Sequence, residues 1–251
     1  MSYGLYVSAA GANAQSHRLE VLSHNLANLN TAGFKPHMAL LQSRASQAIE
    51  EGTSLPGSGT VDDISGGVGI KPTVTQFNQG AVRQTGNRTD FAIHDSDSFF
   101  SVDHQGKQLL TRAGNFMFDS RGTLVTPNGD TVRGTNGGPI TINPALSYEV
   151  SDDGAIVQAG ARQQMMLVKP RALGDLSRVG ENLFESLTPV QEVANSQRSL
   201  VSGALESSAV EPTGAMMQLI EASRVYEANI RMIQSQDESM GQLIGRVLRQ
   251  S

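Results

Sequence analysis

The sequence predicts an α+β fold: long N- and C-terminal helices forming a coiled coil, with an inserted, mostly antiparallel all-β domain between them. Three observations carry this expectation. Apolar residues recur at alternating three- and four-residue intervals at both ends of the chain. The middle switches to short β-rich runs cut by turn residues. No helix-length pattern interrupts those runs, so crossover units for a parallel sheet are lacking. The expected divisions are a helical coiled-coil domain over 1–35 and 205–251, an extended linker over 36–72, and a β-rich outer domain over 73–204.

At the N-terminus, Leu5, Ala12, Leu19, Leu22, Leu26 and Leu29 fit one helical stripe, with Ser8 and Gln15 filling the remaining seam positions. This helix is expected to end between Asn28 and Gly33. Asn28, Asn30 and Gly33 tolerate left-handed backbone angles, and Pro36 cannot continue a helix that has already broken.

The C-terminal segment repeats the pattern through Met216, Leu219, Ser223, Tyr226, Ile230, Ile233, Asp237, Met240, Ile244 and Val247. Glu211-Pro212-Thr213 supplies a start, because proline is compatible with a first helical turn. Nothing between Gly214 and Gly241 breaks the helix, so roughly 30 residues or more are expected, against about 11 to 12 for an average globular helix. Asp237 has two readings: a lone acid that sets register within an apolar seam, or a residue on the exposed edge of the helix.

From Thr73 to about Val168, runs rich in Val, Ile, Phe and Thr alternate with turn signals such as Asn78-Gln79-Gly80, Asp119-Ser120-Arg121-Gly122 and Pro127-Asn128-Gly129-Asp130. This is the punctuation of hairpins. The Gly- and Ser-rich stretch Gly52–Gly69 reads as a loop, Leu183-Phe184 as a short strand, and Gln191–Arg198 as an exposed connection.

Each terminal stripe is too narrow to be covered by its neighbours in sequence, so the two must cover each other or other molecules. Helices projecting in this way are marginal alone, and are expected to become ordered when neighbouring subunits bury them.

Composition excludes several classes of function. With 38% hydrophobic residues, 5% aromatics, no Trp and 26 Gly, the chain is lean in core material for an enzyme-like globule. A formal charge of −5 without any run of Lys or Arg argues against nucleic-acid partners. The absence of Cys removes disulfides, thiolate catalysis and Cys-ligated zinc. Met1–Ala12 lacks the basic and continuous apolar regions of a cleaved secretory signal. No window reaches the roughly 20 apolar residues of a membrane-spanning helix, so membrane insertion is not expected.

Candidate ligand clusters are weak. His17 and His24 lie seven apart on the N-terminal helix without acidic partners at ligand spacing, and Asp95, Asp97 and Asp103 beside His94 and His104 match no EF-hand loop. Gly57-Ser58-Gly59 and Gly66-Gly67-Val68-Gly69 lack the spacing of a phosphate loop. No catalytic, cofactor-binding or metal-ligating residue is therefore assigned, and no cofactor is expected.

Four blocks carry a family resemblance. Asn25-Leu26-Ala27-Asn28, followed by Asn30-Thr31-Ala32-Gly33-Phe34-Lys35, resembles the N-terminal signature of the flagellar rod and hook protein family. Thr85-Gly86-Asn87-Arg88-Thr89-Asp90-Phe91-Ala92-Ile93 with Phe99-Phe100 is similar to the family's next block, and Thr111-Arg112-Ala113-Gly114-Asn115-Phe116 through Gly134 to the one after. Gly203–Val210 with Met217, Ile220, Arg224-Val225-Tyr226, Asn229 and Asp237 resembles the C-terminal signature. Two departures stand out: Asp95-Ser96-Asp97-Ser98 lacks the family's usual glycines, and Ser208-Ala209 replaces Ser-Asn.

The resemblance implies a non-enzymatic structural subunit of the bacterial flagellar basal-body rod, whose terminal helices build an inner tube that transmits torque. Chain length and the opening Met-Ser-Tyr-Gly-Leu-Tyr resemble the proximal rod members more than the distal one. Implied partners are other proximal and distal rod subunits, copies of the chain itself, the flagellar type III export apparatus and the rod cap. The implied location is a rod spanning the periplasm, reached without a cleaved signal peptide. Phe34 and Met38 resemble a Phe-x-x-x-apolar export-gate element; the alternative reading is that the helix exit docks on the β domain. A secreted peptidoglycan hydrolase, from a different class, would need two positioned carboxylates or a metal set, and no such pairing is evident.

Overall fold

A computed structural model describes residues 3–55, 57, 65–151, 153–180, 182–194 and 197–248. The chain forms two compact units, one from Met1–Ala27, His37–Gln76 and Glu211–Ser251, the other from Asn28–Pro36 and Phe77–Val210.

The first unit is built on α1 (Tyr3–Ala27) and α3 (Pro212–Leu248), the 25- and 37-residue helices that the two stripes predict. α3 begins at its proline, where the missing N–H costs no helical hydrogen bond, and Ala215 N donates to Glu211 O at 2.9 Å. α1 stops ahead of Asn28, and Gly33 takes the left-handed conformation at φ +63°. Between the helices come β1 (His37–Ser43), the single turn α2 (Gln47–Glu50) and β2 (Val68–Thr75).

β1 and β2 pair antiparallel with a bulge between Met38 and Leu40. Most of the stretch 36–72, expected to be linker, thus belongs to this unit and contains strand. β2 does alternate, with Val68, Ile70 and Val74 on one face and Lys71, Thr73 and Thr75 on the other, but Pro72 and the adjoining glycines favour a loop reading, and its apolar residues remain 38–48% exposed. The predicted loop Gly52–Gly69 falls partly outside the described residues.

The second unit is an antiparallel β domain without an α-helix among its described residues. Its central strands are β5 (Phe99–His104) and β6 (Lys107–Thr111). β6 continues to β15 (Leu183–Ser186) and β14 (Leu176–Arg178). On its other side β5 pairs with β9 (Thr131–Val132), which leads to β8 (Leu124–Val125) and β7 (Met117–Phe118). The Phe99-Phe100 end of β5 also pairs with β13 (Leu167–Lys169), which pairs in turn with β16 (Gln191–Glu192). β10 (Glu149–Val150), β11 (Ile156–Gln158) and β12 (Ala161–Gln163) form a separate meander. β3 (Val82–Gln84) pairs with β18 (Ala204–Glu206), and β4 (Phe91–Ile93) with β17 (Leu200–Ser202).

Successive residues of the central strands enter different apolar clusters. Phe100, Leu109, Leu167 and Leu183 join one with Phe91, Val102 and Phe116; Phe99, Leu110, Val168 and Phe184 join the other. The sheet is therefore buried on both faces, which explains how a chain poor in aromatics still closes a core: its few phenylalanines are concentrated there. Phe77, Phe99 and Phe184 pack ring to ring at centroid separations of 5.2–6.0 Å. Gly114 has a steric cause, since a Cβ there would lie 1.7 Å from Phe91 O.

Gln191–Arg198 is mostly exposed among its described residues, as its polarity suggests, with 195–196 outside them, but it is more than a connection. It contains β16, Val193 is buried, and Arg198 donates to Met165 O and Val193 O at 3.0 and 3.3 Å. A short polar strand anchored by one apolar residue leaves almost no periodic signal.

Candidate assembly interface

α1 and α3 pack against each other in antiparallel directions, as two contacts one heptad apart establish. A Cβ on Gly4 would stand 2.9 Å from Gln236 Nε2, and one on Gly11 would stand 3.0 Å from Asn229 Oδ1. The facing line on α3 is Ala222, Asn229 and Gln236, with Ala222 fully buried. Each of these precedes by one position the predicted seam residues Ser223, Ile230 and Asp237. Glycine on α1 is the physical reason: it admits the helices closely and receives an amide, and neither residue type registers in an apolar periodicity.

The predicted seam residues divide accordingly. On the N-terminal side Ala12 and Leu22 are buried, and Leu5, Leu19, Leu26 and Leu29 are half-buried. On α3, Leu219, Tyr226, Ile230 and Ile233 are half-buried, whereas Met216, Asp237, Met240 and Ile244 are exposed. The side chain of Val247 lies outside the described ones. Of the two readings of Asp237, the single chain has the exposed edge.

A broader apolar surface accompanies them. Met216, Met217, Ile220, Met232, Leu243 and Ile244 are 50–66% exposed. Because Gly4 meets Gln236, residues 237–248 of α3 run past the first described turn of α1, and Met240, Leu243 and Ile244 lie on that overhang. Three helical turns, about 18 Å, carry apolar side chains with no intrachain helix beside them among the described residues.

The N-terminal signature performs two separate local tasks. Asn25, buried on α1, donates from Nδ2 to His37 O at 2.7 Å and accepts from His37 N at 2.9 Å, so its amide completes the backbone pairing at the start of β1. Leu26 is half-buried and Ala27 exposed, closing the helix. In the β unit, Thr31 Oγ1 donates to Asn28 Oδ1 at 3.1 Å and Thr31 N to Asn28 O at 3.2 Å, making a tight turn with Asn30 exposed at its tip.

Residues 28–36 then run as a strap along the β unit. Gly33 N donates to Glu206 O at 2.7 Å, and Ala209 N to Phe34 O at 3.0 Å. Ala209 thus contributes through its backbone at the position where the family usually has Asn. Phe34 is buried with the Arg178 guanidinium 4.7 Å from its ring centre, and Arg178 donates to Lys35 O at 3.2 Å. Asn182 Nδ2 holds Ala32 O at 2.8 Å.

The Lys35 side chain is wholly buried; its ammonium donates to Glu206 Oε1 at 2.6 Å and to Asn78 O at 2.7 Å. Burial holds this lysine below its usual range against the pull of Glu206. Arg112, equally buried, brings Nε to 3.7 Å from Glu206 Oε2 and donates from Nη2 to Asp95 O. This charged cluster was not read from the sequence, where Lys35, Arg112 and Glu206 stand far apart; only their places inside three family blocks marked them.

The departing turn at Asp95–Ser98 is closed by side-chain capping in place of glycine. The Asp95 carboxylate accepts from Ser98 N, Ser98 Oγ and Asp97 N at 2.6, 2.7 and 3.0 Å. Burial pushes its pKa up, but these hydrogen bonds and Lys169 outweigh it and hold the group below the ordinary aspartate range. Contrary to the reading that these histidines lack acidic partners, His17 has Glu20 one turn on at 3.7 Å, while His24 lies ring to ring with His37 at 5.5 Å. Among the described residues, no three His, Asp or Glu side chains are grouped to hold a metal ion, and no helix is long and apolar enough to cross a membrane.

Two long terminal helices with an exposed apolar face, joined in sequence by an antiparallel β unit, make up a protein of the axial, assembly-forming class. Residues 5–35 match the family described as flagella basal body rod protein, residues 93–158 the flagellar hook protein FlgE/F/G D1 domain, and residues 201–246 the flagellar basal body rod FlgEFG protein C-terminal family. The chain belongs to the flagellar basal-body rod protein family. It is 33% identical to the flagellar basal-body rod protein FlgG of Bacillus subtilis (strain 168), over 97% of this chain and 98% of that protein. It is 32% identical to the flagellar basal-body rod protein FlgF of Caulobacter vibrioides over 95% of each, and 30% identical to that of Rhizobium meliloti (strain 1021) over 97% of each. The homologues are rod proteins, not enzymes, and the peptidoglycan-hydrolase alternative is set aside on that ground.

Proposed function

We propose that this chain is a structural subunit of the proximal flagellar rod, and that its terminal helices form the inner, coiled-coil tube of an axial drive shaft while the β unit forms its outer wall. The supporting observation is the exposed apolar surface of α3, including the three-turn overhang at 237–248. An apolar face of that length on a soluble helix favours burial against neighbouring helices. The partners in this reading are other rod subunits, copies of this chain among them. Export through the flagellar type III apparatus and insertion beneath a rod cap would deliver it to a rod that spans the periplasm.

The seam residues Leu5, Ala12, Leu19, Leu22 and Leu26, with Leu219, Tyr226, Ile230 and Ile233, hold the chain's own helices in this reading; Leu29, predicted with them, falls beyond the end of α1 and in the β unit. Met216, Met240 and Ile244 face neighbours, with Asp237 at the edge of that contact. Phe34 and Met38 serve as an export-gate element only in the unfolded chain, because Phe34 is 1% exposed once folded, whereas Met38 is 41% exposed.

A distal-rod role has a specific observation in its favour: the identity to FlgG of Bacillus subtilis, 33%, is as high as the 32% and 30% to the FlgF relatives. A deletion strain separates the two, with assembly expected to stop before the distal rod; a complete rod in that strain overturns the proximal assignment. Met232→Asp with Ile244→Asp tests the interface. We expect monomer stability to change by no more than about 0.5 kcal/mol while rod assembly and motility are lost. Retained motility refutes the interface.

A further inference from the structure

We propose that Glu206 is a late-arriving counter-charge that keeps the β unit from closing until its whole sequence is present. The inference rests on the β unit alone and stands apart from the rod assignment. Lys35 and Arg112 have side chains 0% exposed, and the carboxylate that reaches both is that of Glu206, 1% exposed. The two cations enter early and midway in chain order. Their counter-charge enters four residues before the last residue of the unit, Val210.

Without Glu206, Lys35 retains Asn78 O as an acceptor and Arg112 retains Asp95 O. The Asp95 and Asp97 carboxylates and the Phe99 ring, 5.3 Å from the guanidinium, still attract Arg112, but Lys35 is left with a neutral carbonyl alone and faces Arg112 unscreened, and an uncompensated buried charge is strongly disfavoured. Docking the strap at 28–36 and burying the end of β6 are then unfavourable, because the cations repel one another and remain better solvated outside.

Glu206 removes that obstacle and also ties the backbone. Its carbonyl accepts from Gly33 N at 2.7 Å, and its Oε1 accepts from Gly80 N at 2.9 Å as well as from Lys35. One residue therefore gathers the strap, the segment leading to β3, and the chain after β6. A chain supplied from its N-terminus leaves these three segments open until residue 206 arrives.

Glu206→Gln in the full-length chain tests this, since glutamine keeps the size and an acceptor oxygen but removes the charge. We expect the folding equilibrium constant of the β unit, from urea titration, to fall on the order of 100-fold or more. Hydrogen exchange should show the amides of Gly33 and Ala209 and the β5–β6 ladder losing protection together. Wild-type stability in the variant overturns the proposal, as does a loss confined to 28–36 with β5–β6 fully protected.

If the variant does not fold, pulse-labelled refolding of the wild-type chain decides. The strap amides and the β5–β6 ladder are expected to gain protection in one kinetic phase. Protection of β5–β6 in a phase roughly tenfold faster or more would sink the idea.

Discussion

Replacing Gly33 by alanine probes how closely the strap is seated on the β unit. The residue adopts φ +63°, and a Cβ there would lie 2.4 Å from both the carbonyl carbon and the oxygen of Arg112 and 2.7 Å from Ala113 N. All three atoms are backbone, in the segment that follows β6, so none can swing aside as a side chain would. Gly86 provides the control: it has φ +73° with nothing within 4 Å of its Cβ position. Left-handed strain alone costs about 1–2 kcal/mol, which is the expected loss for Gly86→Ala. Overpacking adds about 1–3 kcal/mol, so Gly33→Ala should lose about 2–5 kcal/mol. Urea titration followed by far-UV circular dichroism, with m-values unchanged, measures both. If the two variants agree within about 0.5 kcal/mol, the strap does not lie on Arg112 as described.

Two further perturbations follow from the β unit. The depressed pKa of Asp95 means that the folded chain binds fewer protons than the unfolded chain below about pH 4. Its stabilisation is therefore present at neutral pH and is lost as pH falls through the folded-state value. Asp95→Asn should cost about 1–3 kcal/mol at neutral pH and flatten the acid dependence of the urea midpoint; an acid limb as steep as wild type refutes this. Phe184→Ala removes a fully buried ring packed on Phe77 and Phe99, with Arg178 5.8 Å from its centre. The expected loss is about 3–5 kcal/mol in the same titration, and a loss under about 1 kcal/mol would contradict the packing.

Much of the architecture was legible because it depends on local chemistry. Pro212 starts a helix wherever the following residues favour one, Gly33 and Asn28 end one, and Leu183-Phe184 reads as a strand in isolation. The family blocks were legible for a related reason: they mark positions where only one residue type fits, as Gly114 does against Phe91 O. The seam of α3 was legible only in part. Leu219, Tyr226 and Ile233 are half-buried, while the glycines of α1 meet Asn229 and Gln236, because Gly11 and Gly4 leave room for amides. A rule that counts apolar side chains cannot detect a contact made by glycine and a polar group.

By itself the sequence determined two terminal helices, an antiparallel β insertion and membership of a family built from them. These follow from periodicities of three or four residues and from residues whose backbone preferences act within a turn. The tertiary structure alone decided that 37–43 and 68–75 pair as strands, that residues 28–36 complete the β unit, and that Lys35, Arg112 and Glu206 share one buried site. Lys35 and Glu206 are 171 residues apart, and their attraction is felt only after folding has removed the water between them.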